Sequence, residues 1–141
     1  MDDRMTRIEE DLRGVCYKIR KKGREILSDF DITPPQFEAL QFLIHGDQQT
    51  ISELSNNMFL ACSTVTDLID RMERTGLVER QKDIQDRRIV RINVLDKGHQ
   101  LLKKVVETRV NYIDNMLSDL DEDLKIEIEK CVRILNEKVE F

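Results

Sequence analysis

Two short stretches of this 141-residue chain gather groups that can engage an anion. The first, Cys62-Ser63-Thr64-Val65-Thr66, opens a segment with helical spacing. A helix N-terminus presents backbone N–H groups with no partner inside the helix, together with a partial positive charge. Ser63, Thr64 and Thr66 add short hydroxyls that can reach a phosphate or a base edge at little entropic cost. The same hydroxyls would equally serve to cap and solvate the first turn. Further along, Arg71 and Arg74 are candidate phosphate contacts, Arg74 being equally suited to a solvated helix face. Asp67 and Asp70 work against phosphate binding, so Asp70 is expected to pair with a neighbouring Arg. Asp67 is expected to turn away from the backbone or to discriminate against certain bases. The second stretch runs from Lys82 through Asp83-Ile84-Gln85-Asp86-Arg87-Arg88 to Arg91. Its arginines form a compact cationic tip, suited to the narrow minor groove of duplex DNA, where phosphate potential is focused. Taken alone, such a turn is as well read as a surface ion-pair cluster worth under about 1 kcal/mol.

Other chemistries lack their groups. There is no Gly-rich phosphate loop, no HExxH, no nucleophile elbow and no recognisable pair of catalytic carboxylates, so no enzymatic activity is expected. The two histidines, His45 and His99, offer little for a metal site, and no cofactor is expected. Cys16, Cys62 and Cys131 are odd in number and scattered without a CxxC pair, which argues against a disulfide framework or structural zinc and for a reducing cytoplasm. Cys62 is singled out because a helix N-terminus favours its thiolate, so oxidation there could disturb anion docking. Cys131 falls on an apolar seam and reads as core.

Composition sets the frame. Charged residues make up 36% and aromatics 5%, with 40% hydrophobic, which is enough for a core and suits long helices with charged faces. The net charge of −5 is unevenly spread: residues 50–98 carry 8 basic and 8 acidic side chains, whereas 99–141 carry 7 and 10. The ends are acidic, and the middle is where an anion could dock. No run approaches the roughly 18 apolar residues of a membrane span, and MDDRMTRIEED does not resemble a signal peptide.

The elements that must position these groups follow from periodicity. Ile8, Leu12, Val15, Ile19, Ile26 and Leu27 predict a helix from about Asp2 to Ser28. Thr33-Pro34-Pro35-Gln36 and Thr50-Ile51-Ser52-Glu53 are capping boxes opening two further helices, the first ended by Gly46. A helix over about Cys62–Thr75 turns Val65, Leu68, Ile69 and Met72 inward and stops at Gly76. The period then changes from 3.6 to 2, predicting strands over 77–82 and 89–94 around a polar tip. Asp96 is expected to cap a long helix to about Ser118, and Asp121 a last one with Leu124, Ile128, Cys131 or Val132, Leu135 and Val139 along a seam. The order is α-α-α-α-β-β-α-α: mainly α, with one small β-hairpin.

A helix-turn-helix followed directly by a charged hairpin, with long helices at both ends, resembles the MarR family of winged helix-turn-helix transcriptional regulators. STVTDLIDRMERTGLVER at 63–80 is similar to that family's recognition helix and first wing strand. QDRRIVRINVLDKG at 85–98 resembles its wing signature through Asp86, Arg88, Ile92, Val94, Lys97 and Gly98, while Leu95 departs from the usual Thr. ITPPQFEALQFL at 32–43 resembles the helix before the DNA-binding lobe. The resemblance implies a helical dimerisation region from residues 1–31 and 97–141, around a winged helix-turn-helix DNA-binding region at 32–96. It also implies a homodimer on a pseudo-palindromic operator in double-stranded DNA, acting as a repressor released by a small-molecule or oxidative signal.

In that reading Cys62, Ser63, Thr64, Thr66, Arg71, Lys82, Arg87, Arg88 and Arg91 face DNA, and Asp86 braces the wing arginine. A small aromatic effector between the lobes would meet Tyr17, Arg20, Phe42, His45 and Tyr112, and Cys16 and Cys62 are the redox candidates. His45 reads equally as a helix-end cation. The alternative is a dimeric helical adaptor that has lost DNA binding, for which Asp67 and the neutral 50–98 segment argue.

Overall fold

The computed structural model describes residues 3–46 and 48–140; Asp2, where the periodicity starts the first helix, lies outside them. Helix α1 (Asp3–Asp29) follows the predicted apolar spacing, and its solvated side carries i,i+4 ion pairs, Arg7 with Asp3 and Arg13 with Glu9. Only Ile26 and Leu27, near its end, are buried.

Both predicted capping boxes form. Thr33 Oγ1 accepts from the Gln36 N–H at 3.3 Å while Gln36 Oε1 accepts from the Thr33 N–H at 3.2 Å, opening α2 (Pro34–His45). Thr50 and Glu53 make the same exchange at 3.2 and 3.3 Å to open α3 (Ile51–Met58). Helix α4 (Cys62–Arg74) buries Val65, Leu68, Ile69 and Met72, the four positions that the spacing turns inward. It ends as predicted at Gly76, whose φ of +78° is one that side chains other than glycine's rarely adopt.

Strands β1 (Val78–Lys82) and β2 (Val90–Val94) pair antiparallel, with Val78 opposite Val94 and Lys82 opposite Val90. Leu77, assigned by periodicity to the first strand, lies just before it, buried, with its carbonyl accepting from the Leu95 N–H at 2.9 Å. Helix α5 spans Asp96–Met116. The expected cap at Asp96 is corrected: the Leu95 carbonyl accepts the first helical hydrogen bond, from His99, so Asp96 is the first residue inside the helix. There its carboxylate still favours the N-terminal dipole.

The chain divides into two compact units, residues 1–106 and 107–141, and the division falls within α5. The first unit holds the core. Phe37, Ala39, Leu40 and Leu43 of α2 pack with Leu54 and Met58 of α3, the inward face of α4, Val78, Ile92 and Val105. In the second unit, Asp121 Oδ1 accepts from the Leu124 N–H at 2.8 Å to open α6 (Glu122–Lys138). Helix α6 buries none of its residues, so Cys131, read from the seam as core, is exposed. Among the described residues no helix is long and apolar enough to cross a membrane.

Candidate nucleic-acid interface

Helices α3 and α4, joined by Phe59-Leu60-Ala61, form the helix-turn-helix. The start of α4 differs from those of α2, α3 and α6. Ala61 occupies the cap position, and no side chain takes the helix's leading N–H groups. They are left to whatever approaches from outside. Cys62, Ser63 and Thr64 are exposed in this first turn, Thr66 is half-buried, and Asp67 is exposed. Burial of Val65, Leu68, Ile69 and Met72 fixes the opposite face, so the hydroxyl-bearing turn is held outward by packing. The Cys62 thiol lies 3.2 Å from Ser55 Oγ. Ser55 already donates to the Ser52 carbonyl at 2.9 Å, so its oxygen accepts from the thiol.

The hairpin tip is built on two aspartates. Asp83 Oδ2 accepts from the backbone N–H of Gln85 at 3.1 Å and of Asp86 at 3.0 Å, and its Oδ1 accepts from Arg91 Nε at 2.9 Å. Asp86 accepts from Arg88 twice, Nε to Oδ1 and Nη2 to Oδ2, each at 3.0 Å, and from the Arg88 N–H at 3.1 Å. The Arg91 hydrogen bond, with the Asp86 and Gln85 amides, holds the Asp83 carboxyl below the usual carboxylate range. The Arg88 fork does the same for Asp86. Although paired, the Arg88 side chain stays 90% exposed, so its outer edge can meet a phosphate or a groove.

Arg91 has a different place. Its Nη1 donates to the Gln48 carbonyl at 2.9 Å, so its guanidinium ties the wing to the segment before α3 and acts as a brace. Arg71, Lys82 and Arg87 are exposed, and among the described residues no carboxylate pairs with them.

Two functional residues escape motif reading. Arg80 of β1 donates to Asp70 Oδ1 at 2.6 Å and to Glu73 Oε1 at 2.9 Å, while the Arg80 N–H donates to Glu73 Oε2 at 2.9 Å. Burial opposes the Arg80 charge, but the two carboxylates outweigh it and raise its pKa. The clamp neutralises two of the three acidic groups of α4 and locks that helix to the wing. Asp70 alone signalled it, since a carboxylate on an anion-facing helix needs a cation. Gln49 is the second: it is buried, donating to the carbonyls of Phe42 (2.6 Å) and Gly46 (3.0 Å) and accepting from Asn57 Nδ2 at 2.8 Å. Its own carbonyl accepts from the Ile92 N–H at 2.8 Å, joining α2, α3 and β2. No sequence signal marks it.

The five effector candidates lie on separate elements, α1, α2 and α5. Tyr17 and Arg20 are exposed on α1, Phe42 packs against the core, the His45 ring hydrogen-bonds the Gln41 carbonyl at 2.7 Å, and Tyr112 belongs to the second unit. A cleft of about 450 Å³ in the first unit is lined by other residues, among them Phe30, Thr75, Leu77, Lys97 and Leu101. Lys97 Nζ there donates to the Thr75 carbonyl at the end of α4, at 2.6 Å.

The architecture is shared by known proteins. The profile of the MarR family matches residues 32–90. The uncharacterized HTH-type transcriptional regulator YsmB of Bacillus subtilis (strain 168) is 46% identical over 131 residues, covering 92% of this chain and 90% of that protein. The chain belongs to the MarR family. A MarR family protein from Bacillus stearothermophilus has a structure that superimposes with a TM-score of 0.84 at 42% identity, covering 98% and 97% of the two chains. The transcriptional regulator Tm0710 of Thermotoga maritima follows at 0.80 and 35%, covering 94% and 93%. This MarR family protein is therefore a DNA-binding transcriptional regulator and not an enzyme.

Proposed function

We propose that the protein acts in the cytoplasm as a homodimeric repressor that grips a pseudo-palindromic operator. Helix α4 of each copy enters a major groove through Cys62, Ser63, Thr64 and Thr66, while the wing places Arg87 and Arg88 in the flanking minor groove. Arg71 and Lys82 meet phosphates, and Arg91 acts indirectly by holding the wing. The observation that carries this reading is the uncapped, hydroxyl-bearing start of α4, locked through Arg80 to a preformed cationic tip. Two-fold symmetry would set half-sites about one helical turn, roughly 10 bp, apart.

Release by a small aromatic molecule is supported by the 450 Å³ cleft, whose size suits such a ligand and whose Lys97 holds the end of α4. Release by oxidation is supported by exposed Cys62 beside Ser55, where a sulfenic acid would crowd the DNA-facing turn; exposed Cys16 is the second redox candidate.

The test is fluorescence-anisotropy binding to DNA from upstream of the gene, across a salt titration and with unrelated DNA of equal length as control. A steep salt slope with clear preference for the upstream fragment supports sequence-specific repression. Weak and equal binding even at low salt, in the presence of reductant, would overturn it in favour of an adaptor.

A further inference from the structure

Among the described residues, two large apolar side chains stand almost wholly in solvent. Phe59 is 94% exposed and Ile84 is 97% exposed; the next most exposed, Tyr17, is at 67% and ends in a hydroxyl. Single exposed apolar residues are ordinary. Here, however, the two extremes fall on the two segments that border the polar opening turn of α4 and the cationic wing: Phe59 in the turn of the helix-turn-helix, Ile84 at the tip of the hairpin.

Neither is explained by the fold. Phe59 ends α3 with φ 55° and ψ 40°, a left-handed conformation that disfavours bulky residues and is usually given to glycine or asparagine. The hydrogen bonds of that helix end, Leu60 N–H to the Ser55 carbonyl at 3.1 Å and Phe59 N–H to the Asn56 carbonyl at 3.4 Å, use backbone alone. A glycine would make them with less strain, and the ring gains almost no burial in return. Ile84 sits on a turn held from beneath by Asp83, which bonds the Gln85 and Asp86 amides, so it projects from a tip that needs little further ordering on binding.

We propose that Phe59 and Ile84 are apolar anchors for duplex DNA. Ile84 would wedge against the minor-groove walls beside Arg87. Phe59 would pack on sugar and thymine-methyl surface at the major-groove edge next to Cys62 and Ser63. Apolar side chains are used this way in both grooves. The cations and hydroxyls around the pair, Lys82, Arg87, Ser63 and Thr64, complement phosphates, which favours DNA as the occupant over an apolar protein surface. This inference rests on the reading that α4 and the wing face DNA.

The test uses the full chain and a duplex that it selects from a random-sequence pool. Phe59→Gly, Ile84→Ser and Arg87→Ala would be compared by anisotropy across salt and by urea unfolding. Phe59→Gly and Ile84→Ser should each weaken binding about tenfold with an unchanged salt slope, because apolar contacts release no counterions. Phe59→Gly should also raise the urea midpoint, so affinity and stability move in opposite directions, which a packing role would not produce. Ile84→Ser should leave the midpoint unchanged. Undiminished affinity in both variants, with Arg87→Ala still flattening the slope, would overturn the anchors and leave the DNA reading standing. A flattened slope in Phe59→Gly or Ile84→Ser would overturn them too, by revealing lost phosphate contacts. Failure of the wild-type chain to select any duplex would overturn both.

Discussion

At the scale of residues, the site depends on pairings that decide which charges face outward. Arg91 and Arg80 are turned inward by Asp83 and by Asp70 with Glu73, whereas Arg87 and the outer edge of Arg88 remain available. Replacing Arg88 by alanine should therefore weaken binding to all DNA sequences alike and flatten the salt slope by about one unit, as loss of one cation from the phosphate-lined minor groove requires. A salt titration checks this, and an unchanged slope would remove Arg88 from the contacts. Gln49 makes a different prediction. Gln49→Leu strips the Phe42 and Gly46 carbonyls of a donor and the Asn57 amide of an acceptor in a buried place. It should lower stability by about 1–3 kcal/mol in urea unfolding, the usual penalty for stranded polar groups.

At the scale of elements, close approach and wing rigidity matter most. A Cβ at Gly98 would lie 2.6 Å from the Leu77 carbonyl oxygen and 2.8 Å from Val94 Cγ1, and the first of these is backbone that cannot rotate away. Gly98→Ala should push the start of α5 off Leu77 and β2 and cost about 1–3 kcal/mol, read by thermal or urea unfolding.

The wing should also respond to acid. Folding lowers the pKa of Asp83 and Asp86, so it favours their ionised forms. Their contribution is complete above the ordinary aspartate range and is lost as pH falls through the depressed folded values. Hydrogen exchange at the Gln85, Asp86 and Arg88 amides should thus show the tip intact at neutral pH and opening only under acid. Opening near pH 6 would contradict the assignment.

At the scale of the molecule, exposed apolar surface asks for a second copy. Ile8, Leu12, Val15 and Ile19 of α1 are exposed, and so are Leu124, Val132, Ile134 and Leu135 of α6. Covering such faces is what a two-fold dimer would do. Val132→Asp together with Leu135→Asp should shift the protein toward monomer in sedimentation and, on the proposed two-half-site reading, weaken DNA binding by removing one of the two contacts. A variant that stays dimeric would take α6 out of the interface.

Most of the element order was legible in the residues because its signals are local. The capping boxes at Thr33 and Thr50, the period change at Leu77 and the stop at Gly76 each act within a few residues of chain. The exposed polar start of α4 was legible for the same reason: four apolar side chains at helical spacing leave only one side free. Asp96 was misplaced by one residue because a cap is defined by which carbonyl accepts first, and here Leu95 does. Cys131 was misread because a seam shows which residues share a face but not whether anything covers it. What only the tertiary structure decided is the division of labour among the charges. Arg80 reaches acids 7 and 10 residues back, and Arg91 reaches a carbonyl 43 residues away. The exposure of Phe59 and Ile84 is likewise set by what packs around them. Such distances in sequence leave no local trace, since a guanidinium finds its partner only after strands and helices have been brought together.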